Sequence, residues 1–169
     1  MKIVESPNCD ERPPNTEITL VVLHSISLPP GQYGGDSIER LFTNRLDPKA
    51  HEYFGEIAHL KVSSHYLIRR DGEVIQFVPV ERRAWHAGVS SWRGRSRCND
   101  FSVGIELEGT EEDDFTPPQY ESLVSLVKQL RTKLPIRDVA AHSEVAPGRK
   151  TDPGAHFDWA RFLAALTTA

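Results

Sequence analysis

Apolar residues recur along this chain in several rhythms, and each rhythm predicts a different element. Ile18-Thr-Leu-Val-Val-Leu23 is apolar at nearly every position and ends abruptly in His24, the pattern of a central strand covered on both faces. The segment Phe101-Ser-Val-Gly-Ile-Glu-Leu-Glu108 alternates instead. Phe101, Val103, Ile105 and Leu107 point one way, and Ser102, Gly104, Glu106 and Glu108 the other. Farther on, Tyr120, Leu123, Val124, Val127 and Leu130 return at helical spacing. Thr116, followed by Pro117 and Gln119, is a capping-box start, so a helix is predicted from Pro117 to Leu130 or slightly beyond.

Weaker patterns fill in the rest. Asp36 is placed to cap a short helix from Ser37 to Asn44, with Ile38, Leu41 and Phe42 on one side. Residues 51–61 give no clear period. Ser64 to Arg70 and Glu73 to Pro79 read as strands around Asp71-Gly72, a hairpin signal. Residues 137–142 give a last strand, and Phe157 to Leu166 a closing helix. Residues 1–16, broken by Pro7, Pro13 and Pro14, form an extended lead. Strands and helices interleave, and some strands are joined by a hairpin. The expected fold is therefore α/β: one domain over 1–169, with a central mixed β-sheet flanked by helices.

Composition narrows the class. A chain of 169 residues buries roughly two thirds of its unfolded surface and needs no disulfide staple. Cys9 and Cys98 lie in no metal-binding spacing and read as reduced, incidental thiols. The start, Met1-Lys-Ile-Val-Glu-Ser-Pro, has no apolar core of a signal peptide, and no apolar run approaches the ~20 residues of a membrane span. A cytoplasmic protein without membrane partners is expected. The net charge of −4 argues against nucleic acid as a partner. One local exception is the group Arg82, Arg83, Arg93, Arg95 and Arg97 around Trp85 and Trp92. It reads either as a solvated loop or as a pocket for an anionic substrate, whose carboxylates arginine matches bidentately.

Candidate chemistry concentrates in His142-Ser-Glu-Val-Ala-Pro-Gly-Arg-Lys-Thr-Asp-Pro-Gly154, too rich in Pro and Gly to be regular structure throughout. With His24 at a strand end, His142 and Asp152 have the composition of a catalytic zinc site, three N and O ligands with a fourth position open. Among seven histidines such a trio also arises by chance, and structural or solvated histidines are the other reading. The polar face of 101–108 is similarly open. It is either solvated or a carboxylate overlooking a cleft, with Gly104 leaving room for a ligand.

Four segments together resemble one family. They are Leu23-His-Ser-Ile-Ser-Leu-Pro-Pro-Gly31, Arg83-Ala-Trp-His-Ala-Gly-Val-Ser90, Cys98-Asn-Asp-Phe-Ser-Val-Gly-Ile-Glu-Leu-Glu-Gly109 and the loop from Ala146 through Lys150-Thr-Asp-Pro-Gly154. In this order they are similar to the AmpD-type N-acetylmuramyl-L-alanine amidases, zinc enzymes related to phage-lysozyme amidases and peptidoglycan-recognition proteins. The resemblance runs from about Ser6 to the closing helix.

It implies one zinc per chain held by His24, His142 and Asp152, with Glu106 rather than Glu108 as general base and Lys150 as an electrophile near the metal. It also implies a small-molecule substrate, a 1,6-anhydro-muropeptide cut between N-acetylmuramic acid and L-alanine during cytoplasmic recycling of peptidoglycan. Ser25 stands where relatives often carry Asn, and is read as a substrate contact. Trp85 offers an apolar face to sugar or peptide, and Lys61 with Arg97 would hold stem-peptide carboxylates. His51, His59, His65 and His86 are read as pocket-lining or structural, and His156 as a solvated loop residue. An exported lytic amidase and a muropeptide-binding module without catalysis are the alternatives.

Overall fold

The apolar run after Ile18 becomes the second strand from one edge of a six-stranded sheet in the computed structural model, which describes residues 1–168. In chain order the strands are β1 (Lys2–Ile3), β2 (Cys9–Glu11), β3 (Leu20–Ile26), β4 (Tyr66–Ile68), β5 (Val74–Gln76), β6 (Arg82–Ala84), β7 (Ser91–Trp92), β8 (Arg95–Ser96), β9 (Ser102–Glu108) and β10 (Asp138–Ala141). The helices are α1 (Ser37–Phe42), α2 (Glu52–Ile57), α3 (Pro117–Lys133), the single turn α4 (His142–Val145) and α5 (Trp159–Thr167). The sheet order is β1-β5-β4-β9-β3-β10, with β4, β9, β3 and β10 mutually parallel and β5 antiparallel to β4. This is the mixed α/β sheet expected.

Alternation sorts the side chains of β3 and β9 between two cores. Val21, Leu23, Val103, Ile105 and Leu107 face α3 and α5, where they meet Leu123, Val127, Leu130, Phe157 and Phe162. Leu20 and Val22 face the opposite side with Ala87, Cys98, Ala140 and Val145. A third apolar cluster under α1 and α2 joins Ile38, Leu41, Phe42 and Phe54 to Leu67, Ile75 and Phe77. Gln119 does more than complete the capping box with Thr116. Its amide also donates to the carbonyls of Ile68 and Glu108 at 3.2 and 2.8 Å, which ties α3 to the ends of β4 and β9.

Several expectations shift by a residue or a role. Phe101 does not belong to the alternating strand. It ends a 3-10 turn, Cys98–Phe101, and packs with Leu20 and Val22 on the face opposite Val103. Leu126 is buried on α3, and Val124 only partly. Asp36 precedes α1, but its carboxylate pairs with Arg40 at 2.8 Å instead of capping the backbone. In residues 51–61, α2 forms because His51 Nδ1 accepts the Tyr53 N–H at its start. The lead is extended yet pinned: β1 adds to the sheet edge through β5, and β2 pairs with β6. Arg12 at its end donates to the carbonyls of Val80, Asn99, Asp100 and Ser102. The two thiols are free.

Candidate metal centre

Strand register assembles the site. In the β3–β9 ladder His24 lies opposite Glu106, and on the other flank Leu23 pairs with Ala141, so His142, the next residue, arrives beside His24. His142 opens α4 instead of ending the strand, because the Glu144 carboxylate accepts the Ala141 N–H and turns the chain. All three residues sit at the carboxyl ends of parallel strands, where open α/β sheets form their clefts. The Pro-Gly loop then brings Asp152 over this end. Ser143 N–H donates to the Asp152 carbonyl at 3.1 Å, and Ser25 N–H donates to its Oδ2 at 3.3 Å.

Three donor atoms converge. His24 Nδ1 and His142 Nδ1 are 2.9 Å apart, and Asp152 Oδ2 lies 3.4 Å from the first and 3.3 Å from the second. A tetrahedral zinc with bonds of about 2.0–2.1 Å would separate its ligand atoms by about 3.3 Å. His142 Nε2 faces the Ala87 carbonyl at 3.1 Å and so carries its hydrogen there, which leaves Nδ1 as a lone pair. A shared proton or cation suits atoms at this spacing. Both rings are buried, and burial pushes His24 below its ordinary value despite the pull of Asp152. Neutral imidazole is the state that binds a metal. Two nitrogens and one oxygen are the donor set of metal-dependent hydrolases.

The two glutamates of β9 part company. Glu108 is fully engaged: Oε2 takes Arg69 at 3.0 Å and Gly34 N–H at 2.9 Å, and Oε1 takes Arg70 N–H at 3.2 Å. Glu106 has Oε1 at 3.9 Å from His24 Nδ1, while its buried Oε2 has no hydrogen-bond partner. Burial, then the charge of Asp152, pushes its carboxyl well above the ordinary range, and Lys150 opposes this. The polar face of β9 is therefore neither solvated nor open at Gly104. A Cβ there would lie 2.4 Å from the His86 ring, so the missing side chain accommodates His86, not a ligand.

The trio opens into a cleft of about 620 Å³, within the range of small-molecule sites. Ser25, Trp85, Glu106 and Lys150 line it, together with Ile26, Tyr53 and Leu60. Lys61 and Arg97 are not among the lining residues. The cations at the cleft are Arg149 and Lys150. Most of the upstream arginines have partners elsewhere: Arg83 with Asp10 and Asp100, Arg93 with Asp138, and Arg95 stacked on Phe101. His65 is buried and bonded between Gly104 N–H and the Arg82 carbonyl. His59 is exposed, and His156 pairs with Asp114 at 2.7 Å.

His86, read from the sequence as pocket-lining or structural, lines the cleft, and two more contributors, Asn99 and Arg149, are not singled out by the sequence. His86 meets His24 Nε2 at 2.9 Å, Asn99 holds the backbone of residues 86 and 87, and Arg149 bonds the carbonyls of Ala87 and Val89. Each matters only through what folding places beside it.

This α/β cleft, with its converging donors and adjacent unpartnered carboxyl group, has the residue set of a hydrolase-type metal centre. The family model described as N-acetylmuramoyl-L-alanine amidase matches residues 14–155, and the chain belongs to that family. The 1,6-anhydro-N-acetylmuramyl-L-alanine amidase AmpD of Enterobacter cloacae is 57% identical over 168 residues, 98% of this chain and 90% of that protein. A crystal structure of a selenomethionine AmpD derivative matches with a TM-score of 0.94 at 56% identity, covering 98% of this chain and 94% of that one. The Escherichia coli amidase AmiD, in complex with the substrate anhydro-N-acetylmuramic acid-L-Ala-D-gamma-Glu-L-Lys, matches with a TM-score of 0.66 at 28% identity, over 94% of this chain and 62% of that one.

Proposed function

We propose that this chain hydrolyses the amide between 1,6-anhydro-N-acetylmuramic acid and L-alanine in muropeptides, using one zinc ion held by His24, His142 and Asp152. The observation that carries this is the convergence of those three donors beside the unpartnered Oε2 of Glu106, in a chain that matches 1,6-anhydro amidases over nearly its whole length. When bound, zinc supplies Lewis-acid polarisation of the scissile carbonyl and of water.

The chain's own residues supply the rest. Glu106 takes the proton of the attacking water on Oε2 and delivers it to the departing L-alanine nitrogen. That role needs the ionised carboxylate, and a cation at the trio lowers the pKa that burial raises. Lys150 Nζ faces the charge that develops on the carbonyl oxygen. Trp85, Ile26 and Leu60 offer apolar wall to sugar and peptide, and Ser25 polar contact at the floor. Glu108, bonded on both oxygens by Arg69, Arg70 and Gly34, is held away from the reaction.

The likeness to 1,6-anhydro amidases supports anhydro-muropeptides as the substrate class, and with it our reading of an enzyme of cytoplasmic recycling of wall fragments, not of lysis of intact peptidoglycan. Mass spectrometry of products from a defined anhydro-muropeptide tests it. Free anhydro-N-acetylmuramic acid and a peptide beginning with L-alanine are expected, lost on chelation and restored by zinc. Cleavage at another bond, or faster turnover of intact peptidoglycan, would overturn the reading. So would recovery of the chain from the periplasmic fraction.

A further inference from the structure

We infer that the two-residue strap His86–Ala87, held by Asn99, presents the Nδ1 lone pairs of both ligand histidines to the metal site. The inference rests on the proposed zinc site and concerns residues outside the ligand set.

The far side of each ligand ring meets this one strap. His24 Nε2 lies 2.9 Å from His86 Nδ1, and His142 Nε2 lies 3.1 Å from the Ala87 carbonyl. A carbonyl only accepts, so His142 carries its hydrogen on Nε2 and exposes Nδ1. His86 Nε2 lies 3.1 Å from Ser102 Oγ. We assign that nitrogen as donor to the hydroxyl, so that His86 Nδ1 accepts from His24 Nε2–H and His24 Nδ1 is likewise bare. Outer partners of this kind set the tautomer and orientation of metal-bound imidazoles.

The strap is itself fixed from several directions. Asn99 Oδ1 accepts both backbone N–H groups, His86 at 3.1 Å and Ala87 at 2.8 Å. Arg149 donates to the Ala87 carbonyl at 2.5 Å, sharing that oxygen with His142. Gly104 leaves the space that the His86 ring fills. His86 and Asn99 are thus positioning residues, since neither supplies a donor to the trio.

The test compares zinc-free wild type with paired substitutions. His86→Asn keeps an acceptor near the Nδ1 position, and His86→Leu removes it at similar bulk. Asn99→Asp keeps the acceptor for the two N–H groups, and Asn99→Leu does not. Zinc affinity is measured by competition with a chromophoric chelator, and thermal stability of the metal-free proteins by calorimetry.

Both Leu variants should bind zinc about 10- to 100-fold more weakly, the usual cost of an outer partner. The Asn and Asp variants should recover most of that loss at matched stability. Should His86→Leu fail to fold, the Asn99 pair gives the same comparison. Wild-type affinity in the Leu variants, or equal loss in the Leu and conservative variants, overturns the inference. Wild type that binds no zinc overturns instead the reading beneath it.

Discussion

His24 and Glu106 face each other across the β3–β9 ladder, with Nδ1 3.9 Å from Oε1, so one strand pairing sets a candidate metal ligand beside the carboxyl group whose Oε2 lacks a partner. Parallel strands in register keep this spacing without any loop having to hold it. The relationship makes the roles of individual residues separable by experiment.

Asp152→Ala should lose both metal and activity. Two imidazoles alone leave the site without a charged ligand, and among the described residues no other carboxylate groups with the two histidines. Metal analysis of the purified variant checks this. Full zinc occupancy would remove Asp152 from the site.

Glu106→Gln and Glu108→Gln should fail in different ways. The first should keep fold and metal but lower kcat by roughly 10²-fold or more, the size of a lost general base. The second breaks the buried pair with Arg69 and should cost about 1–3 kcal/mol of stability with far less effect on turnover. Steady-state kinetics and urea denaturation of both variants read the two effects. A larger kcat loss in Glu108→Gln would reverse the assignment.

Gly104→Ala should disturb the site from beneath. Its Cβ would stand 2.4 Å from the His86 ring, which must move or tilt. A cost of about 1–3 kcal/mol is expected from overpacking, with weaker zinc binding as the strap shifts. Neutral stability together with unchanged zinc affinity would show that the ring has room to spare.

His65 should make stability depend on pH. Burial lowers its pKa from 6.5 to about 3, so the folded state keeps it neutral. Between those values the unfolded chain binds a proton that the folded chain does not, and stability falls as pH drops through that window. His65→Asn keeps an acceptor for Gly104 N–H but loses the bond to the Arg82 carbonyl. It should be less stable than wild type at pH 7.5, by a margin that shrinks or inverts at pH 5. Denaturant titrations of the zinc-free proteins at both values check this, and a constant margin would exclude His65 as the source.

The sheet was legible in the residues because backbone pairing follows local pattern. The unbroken apolar run of β3, the Asp71-Gly72 turn and the Thr116–Gln119 cap each depend on neighbours within a few positions. Alternation puts Phe101 on the wrong face because it does not reveal where a 3-10 turn ends and a strand begins. The Arg-Trp loop reads equally as a solvated loop or an anion pocket because a sequence counts charges without their partners. Asp10, Asp100 and Asp138, all remote in sequence or folded back onto the loop, take up Arg83 and Arg93.

The sequence by itself determined the central strands, the α3 cap, the mixed α/β architecture and the short set of residue types able to hold a metal. Tertiary structure decided which glutamate is free, why residue 104 lacks a side chain, and which groups stand behind the ligand rings. The division has a physical cause. Strand and helix propensities act over a few residues, whereas the state of Glu106, the space beside Gly104 and the tautomer of His142 depend on atoms delivered by other strands and loops.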